Sequence, residues 1–187
     1  ARYHPDGRSV LYQEACGNKT EIKQISVPSA ANPNPVPTVL FSEDASDRGL
    51  FEATWDPSGT AIVYSLAAAT QNELRRRSND GTDQLIAASR SEQFRYPDVS
   101  PDGTKVVVSN YALGTTLGVG YSREVTIADG ASTPSFKGQY GRYAPDGRLY
   151  FLDYVSYNQR FIRYREPNGL AGQIGGKAVY WSVDVRR

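Results

Sequence analysis

Four stretches decide the fold: YHPDGRSVLY (3–12), WDPSGTAIVY (55–64), VSPDGTKVVV (99–108) and YAPDGRLYFL (143–152). Each sets an aromatic or β-branched residue two positions before a Pro-Asp-Gly or Pro-Ser-Gly tripeptide, and a strand-forming run follows. The prolines stand at 5, 57, 101 and 145, so the stretches recur after 52, 44 and 44 residues. The tripeptide is turn chemistry. Pro5, Pro57, Pro101 and Pro145 fix φ at the first corner. Asp6, Asp102 and Asp146 accept a hydrogen bond from the backbone just beyond, a bond that Ser58 makes more weakly. Gly7, Gly59, Gly103 and Gly147 take the left-handed position.

Working outward, a second β run follows each copy: EIKQISV (21–27), ELRRRSNDG (73–81), EVTIADG (124–130) and FIRYREPNG (161–169). A last run closes each unit: TVLFSED (38–44), QLIAASR (84–90), a weak TPSFKGQ (133–139) and KAVYWSVDV (177–185). The unit therefore reads strand A, turn, strand B, loop, strand C, turn, strand D, and a four-stranded meander at this period is a β-propeller blade. Alternation along strand A predicts that Tyr3, Trp55, Val99 and Tyr143 point between blades into the core, flanked by mostly polar neighbours.

The four copies resemble the TolB-like, WD-repeat-like propeller repeat, over essentially the whole chain. The resemblance implies an all-β fold of four four-stranded antiparallel blades, approximately 1–50, 51–94, 95–139 and 140–187. Propellers of this type have about six to eight blades, so the expectation is a segment of a larger ring, with a self-sufficient four-bladed ring as the alternative. The absence of Met marks the sequence as processed or excised from something longer. The proline-rich PSAANPNPVP (28–37) is read as a surface loop.

Composition narrows the function classes. Hydrophobic residues are 39% and charged residues 22%, which fits a folded globular chain. No run approaches the ~18 apolar residues of a membrane helix. A net charge of +1 gives no electrostatic reason to expect nucleic acid. Cys16 stands alone, so neither an internal disulfide nor a cysteine zinc cluster forms; sparse cysteine is compatible with a periplasmic or extracellular protein.

No catalytic constellation emerges. His4 is the single histidine, there is no Gly-x-Ser-x-Gly elbow, and His4 is read as a polar neighbour of the first turn. GQIGGKA (172–178) lacks the first Gly and the final Ser or Thr of a phosphate loop, and is read as a flexible C–D connection. Arg75, Arg76 and Arg77 alternate faces and are read as a solvated outer strand. DASD (44–47) and SNDGTD (78–83) fall short of a twelve-residue calcium loop. No metal and no cofactor is expected. Asn18-Lys19-Thr20 is a glycosylation sequon where the source glycosylates asparagine.

In a meander, alternate connections fall on opposite faces, so the turns and the C–D loops share one face and the B–C and D–A loops the other. The B–C segments NYALGTTLGVGYS (110–122) and DYVSYNQ (153–159) vary most, and are expected to carry Tyr111, Tyr121, Asp153, Tyr154 and Tyr157 at one rim. Gly114, Gly118 and Gly120 would let the longer loop adapt. The preferred reading is a non-catalytic, exported binding or assembly module that recognises a protein or peptide through this face. The alternatives are a cap of a prolyl-oligopeptidase-like or tricorn-like serine peptidase, and a carbohydrate-binding propeller that stacks the same tyrosines on sugar rings.

Overall fold

The computed structural model describes residues 1–44, 48–68, 70–112, 120–156 and 159–178. All regular structure among them is β, in four four-stranded antiparallel meanders. The first holds β1 (Arg2–Tyr3), β2 (Ser9–Cys16), β3 (Lys19–Ser26) and β4 (Thr38–Asp44). The second holds β5 (Arg48–Trp55), β6 (Ala61–Ala68), β7 (Asn72–Ser78) and β8 (Asp83–Ser89). The third holds β9 (Glu92–Val99), β10 (Lys105–Ala112), β11 (Tyr121–Thr126) and β12 (Phe136–Lys137). The fourth holds β13 (Gln139–Tyr143), β14 (Leu149–Ser156), β15 (Gln159–Arg165) and β16 (Ala171–Ala178).

The turns form as their chemistry demands. Gly7, Gly59, Gly103 and Gly147 sit at φ of 72°, 71°, 71° and 84°. Each glycine N–H donates to the carbonyl three residues back, on His4, Asp56, Ser100 and Ala144. Asp6, Asp102 and Asp146 accept the N–H of Arg8, Thr104 and Arg148 at 2.8, 3.0 and 3.0 Å, and Ser58 Oγ accepts that of Thr60 at 3.2 Å.

The sheets stack in chain order, and an apolar core fills each seam. Leu11, Ile22 and Phe41 of the first sheet meet Trp55, Ile62 and Tyr64 of the second. Val63 and Leu74 meet Phe94, Val99, Val106 and Val108. Val107 meets Tyr143, Leu149 and Phe151. Trp55, Val99 and Tyr143 are thus buried against the preceding sheet, as expected. Tyr3 is not: it is 69% exposed. It holds the same place in the repeat, but no described sheet lies against its face, so the register is right while the burial is missing.

Two other expectations are corrected. GQIGGKA is not a connection but most of β16, paired with β15 through Arg165↔Ala171, Tyr164↔Gly172 and Ile162↔Ile174. Strand D of the fourth sheet therefore starts before the expected KAVYWSVDV, whose residues past Ala178 lie outside the described residues. The pairing uses main-chain groups, and a glycine suits position 172, where a Cβ would fall 2.5 Å from the Tyr164 ring. Arg75, Arg76 and Arg77 alternate faces but are paired rather than solvated: Arg75 bonds Glu73 and Asp83, Arg76 bonds Asp56, and Arg77 lies over the Phe41 ring.

Candidate functional site in the inner-strand seam

The first strand of sheets two, three and four carries a bulge, at the same place of the repeat in β9 and β13 and one residue earlier in β5. The register skips between Leu50 and Ala53 in β5, between Arg95 and Asp98 in β9, and between Gln139 and Arg142 in β13. In the last two, a tyrosine occupies the left-handed region: Tyr96 at φ 54° and Tyr140 at φ 57°. A bulky residue there is strained, and bulges of this kind re-aim side chains.

Each strained residue is held by the sheet before it. Glu52 accepts the Tyr96 N–H at 3.2 Å and receives Arg95 through Nε and Nη2 at 2.7–3.0 Å. Ser109 Oγ accepts the Tyr140 N–H at 3.0 Å, and Asp98 accepts that of Tyr143 at 2.8 Å. Arg142 donates to the Tyr96 carbonyl at 3.3 Å.

The aimed rings gather. Tyr96 and Tyr140 lie 4.5 Å apart, and Tyr96 and Tyr111 6.5 Å apart edge to face. Tyr140 lies close enough to Tyr154 to add to the rise that burial gives its hydroxyl, and the Arg160 guanidinium lies 4.7 Å over the Tyr154 ring. Burial pushes the Tyr96 hydroxyl up to about 12, with the Tyr140 hydroxyl adding to the shift. Burial also raises Tyr111 and Tyr154. These three hydroxyls are therefore protonated donors at neutral pH. The Tyr111 hydroxyl is buried without a hydrogen-bond partner among the described residues.

The expected site residues fall into three groups. Tyr111 and Tyr154 are brought together, but on strands rather than on a loop rim: β10 runs to Ala112, β14 to Ser156, and Tyr111 is only 6% exposed. Cross-strand pairing of Asn110 with Tyr121 and of Tyr154 with Arg160 carries the sheets further than the loops were expected to allow. Tyr121 opens β11, 49% exposed. Asp153 is buried, with Oδ2 ion-paired to Arg163 of its own sheet at 2.7 Å and Oδ1 3.6 Å from Lys137 of the third sheet, so its carboxylate faces two cations rather than a loop rim. Tyr157, Gly114 and Gly118 lie outside the described residues. Tyr96 and Tyr140 escaped the sequence reading, although their separation of one 44-residue repeat was a readable signal.

The opposite, turn-bearing face carries two clefts between sheets. One, about 370 Å³, lies between sheets three and four. There the buried Tyr143 hydroxyl donates to Glu124 at 2.6 Å, and Asp102, Asp146 and Glu166 add carboxylates. The other, about 340 Å³, lies between sheets one and two beside Trp55. The single histidine sits at its edge: His4 meets Trp55 edge to face at 4.7 Å.

No protein-family model matches the chain, and no curated protein matches it in sequence. Solved structures do match in fold. TolB from Acinetobacter baumannii superposes with a TM-score of 0.68 at 15% identity, over 92% of this chain and 42% of that one. The β-propeller domain of the Trilobed protease from Pyrococcus furiosus gives 0.57 at 11% identity, over 95% and 60%. A chain of the nidogen/laminin complex gives 0.61 at 11% identity, over 88% and 60%. The chain is similar to β-propellers and spans about half the length of these chains.

Proposed function

We propose that this chain is a non-catalytic propeller module of the TolB-like kind, exported, that binds a protein or peptide at the seam of Tyr96, Tyr111, Tyr140 and Tyr154. The observation that carries the reading is the pairing of strain with an unmet donor. Two tyrosines are held at positive φ by side chains of the neighbouring sheet, and one of their rings lies against Tyr111, whose buried hydroxyl has no hydrogen-bond partner among the described residues. Rigid rings with polar tips are favoured recognition surfaces. The fold similarity to a chain of the nidogen/laminin complex, an assembly of proteins, is consistent with this.

The test is a peptide-library selection on the folded chain, followed by affinity measurements on Y111F, Y96A and Y154A, with a panel of oligosaccharides in parallel. Peptide binding that weakens at all three, with circular dichroism unchanged, supports the reading. Binding of sugars alone, or peptide contacts confined to Pro5–Gly7, Pro57–Gly59, Pro101–Gly103 and Pro145–Gly147, overturns it. A second reading, a propeller cap of a serine peptidase, draws on the similarity to the Trilobed protease domain. Flanking sequence with a Gly-x-Ser-x-Gly hydrolase domain would favour it.

A further inference from the structure

The clefts on the turn face occupy equivalent places in the repeat and differ in one chemical respect. Gln24 and Glu124 stand at the same position, paired with Leu11 and with Val107. Trp55 and Tyr143 likewise hold one position. Between sheets three and four the match is complete, because Tyr143 donates to Glu124. Between sheets one and two it fails. The Gln24 amide donates instead to Ser9 Oγ at 2.6 Å, and Trp55 Nε1, on a side chain 3% exposed, has no hydrogen-bond partner among the described residues.

The rest of that cleft offers donors as well. Arg77 lies on its wall, and Arg77 Nη1 is 3.7 Å from Asp83, a carboxylate already taken by Tyr64 at 2.6 Å and Arg75 at 3.0 Å. Asn79 Nδ2 and His4 Nε2 both approach the one carbonyl of Gly59, at 3.4 and 3.3 Å. No Asp or Glu lines the cleft, whereas its counterpart between sheets three and four carries four. Phe41, Leu40 and Ile62 line the cleft together with the Arg77 guanidinium, the Asn79 amide and Trp55, whose indole N–H is buried and unmet among the described residues. This mix of apolar surface and donors suits a carboxylate on a short apolar stem.

We propose that the cleft between the first two sheets binds a carboxylate of a peptide segment, either its C-terminus or an acidic side chain. The carboxylate pairs with Arg77 and accepts the Trp55 indole N–H. This site lies on the face opposite the tyrosine seam and stands independently of it, and with both occupied the module would bridge two partners.

The experiment follows the Trp55 indole N–H in ¹⁵N-labelled protein, its signal identified by its loss in W55F. The probes are Ac-Ala-Ala-Ala-OH, Ac-Ala-Glu-Ala-NH₂ and the uncharged Ac-Ala-Ala-Ala-NH₂. A saturable shift with either carboxylate peptide, absent with the uncharged one and weakened about tenfold or more by R77Q, is the expected result. The responding peptide tells terminus from side chain. No shift with either acid, an equal shift with the uncharged peptide, or full affinity in folded R77Q overturns the proposal. Y96A and Y111F should leave this titration unchanged, so failure of the seam and failure of the cleft read out separately.

Discussion

Trp55 and Tyr3 are both aromatic, occupy one place in the repeat and differ most in what covers them, so truncating each to alanine probes the seam's contribution. A buried tryptophan removes about 150–250 Å² from water, a ceiling of about 4–6 kcal/mol at ~25 cal/mol per Å². Two effects lower it: residual compactness of the unfolded chain, and the indole N–H, whose burial without a partner already costs about 1–3 kcal/mol. The expected cost of W55A is therefore about 3 kcal/mol, the low end of the range for buried aromatics. Y3A, from a side chain 69% exposed, is expected to fall within about 0.5 kcal/mol of zero. In urea, with a slope of about 1–3 kcal/mol per M, the W55A midpoint drops by about 1–3 M. W55F, which deletes the unpaired N–H while keeping most of the ring, should cost less than W55A. Equal losses for Y3A and W55A would show that the seam between the first two sheets is not formed as described.

Three more outcomes can be measured on the same material. E52Q keeps the shape but removes the charge facing Arg95 and weakens the acceptor for the Tyr96 N–H, so a loss of about 1–3 kcal/mol and a changed near-ultraviolet tyrosine signal are expected. Gly59 and Gly103 share φ of 71°, but a Cβ at 59 would fall 2.5 Å from His4 Nε2, whereas at 103 it meets open space. G59A should therefore melt well below G103A, which carries only the backbone penalty of about 1 kcal/mol. Ser100 and Thr104 hold the Asp102 carboxyl below its usual 3.8. At Asp56, burial alone would raise the carboxyl, but bonds from Ser58 and Arg76 outweigh it and hold it down. Both stabilise fully above the unfolded value and are lost as pH falls below it through the folded values, so melting temperature should drop on acidification below about pH 4, and less steeply in D102N.

The turns were legible because every bond in them lies within about five residues, where residue type alone sets the outcome. The seam burial of Trp55, Val99 and Tyr143 was legible from alternation. That of Tyr3 was not, since alternation tells which face a side chain takes and not whether anything lies against it. The glycines of Ala171–Ala178 suggested a loop, but ladder bonds do not need side chains, and the tight Glu166–Gly169 turn delivers the segment straight onto β15. Tyr96 and Tyr140 were hidden for a deeper reason. Their positive φ is imposed by Glu52 and Ser109 on another sheet, and no local propensity announces a conformation that only tertiary bonds can hold.

The same division between local and tertiary control explains how one repeat can present unlike surfaces. The turn tripeptide keeps the backbone path nearly constant from sheet to sheet, so the side chain two residues before each proline takes the same face, and Trp55, Val99 and Tyr143 reach a seam while Tyr3 does not. What it does there depends on its partner across the gap. Val99 meets Val63 and Ile86 in a seam filled by apolar groups alone, aliphatic but for Phe94. Tyr143 meets a carboxylate and is satisfied. Trp55 shares its cleft with Gln24, whose Nε2 donates to Ser9, and keeps an unmet donor among the described residues. An exchange at position 24 should therefore act on the indole: Q24E replaces the amide by a charged acceptor of the kind that Glu124 provides in the later seam. It should raise stability by about 1–2 kcal/mol through a charge-assisted bond to Nε1, and shift the Trp55 indole proton without any ligand. A Q24E protein with unchanged melting and an unmoved indole signal would mean that position 24 does not face Trp55, and the equivalence of the two clefts would fall.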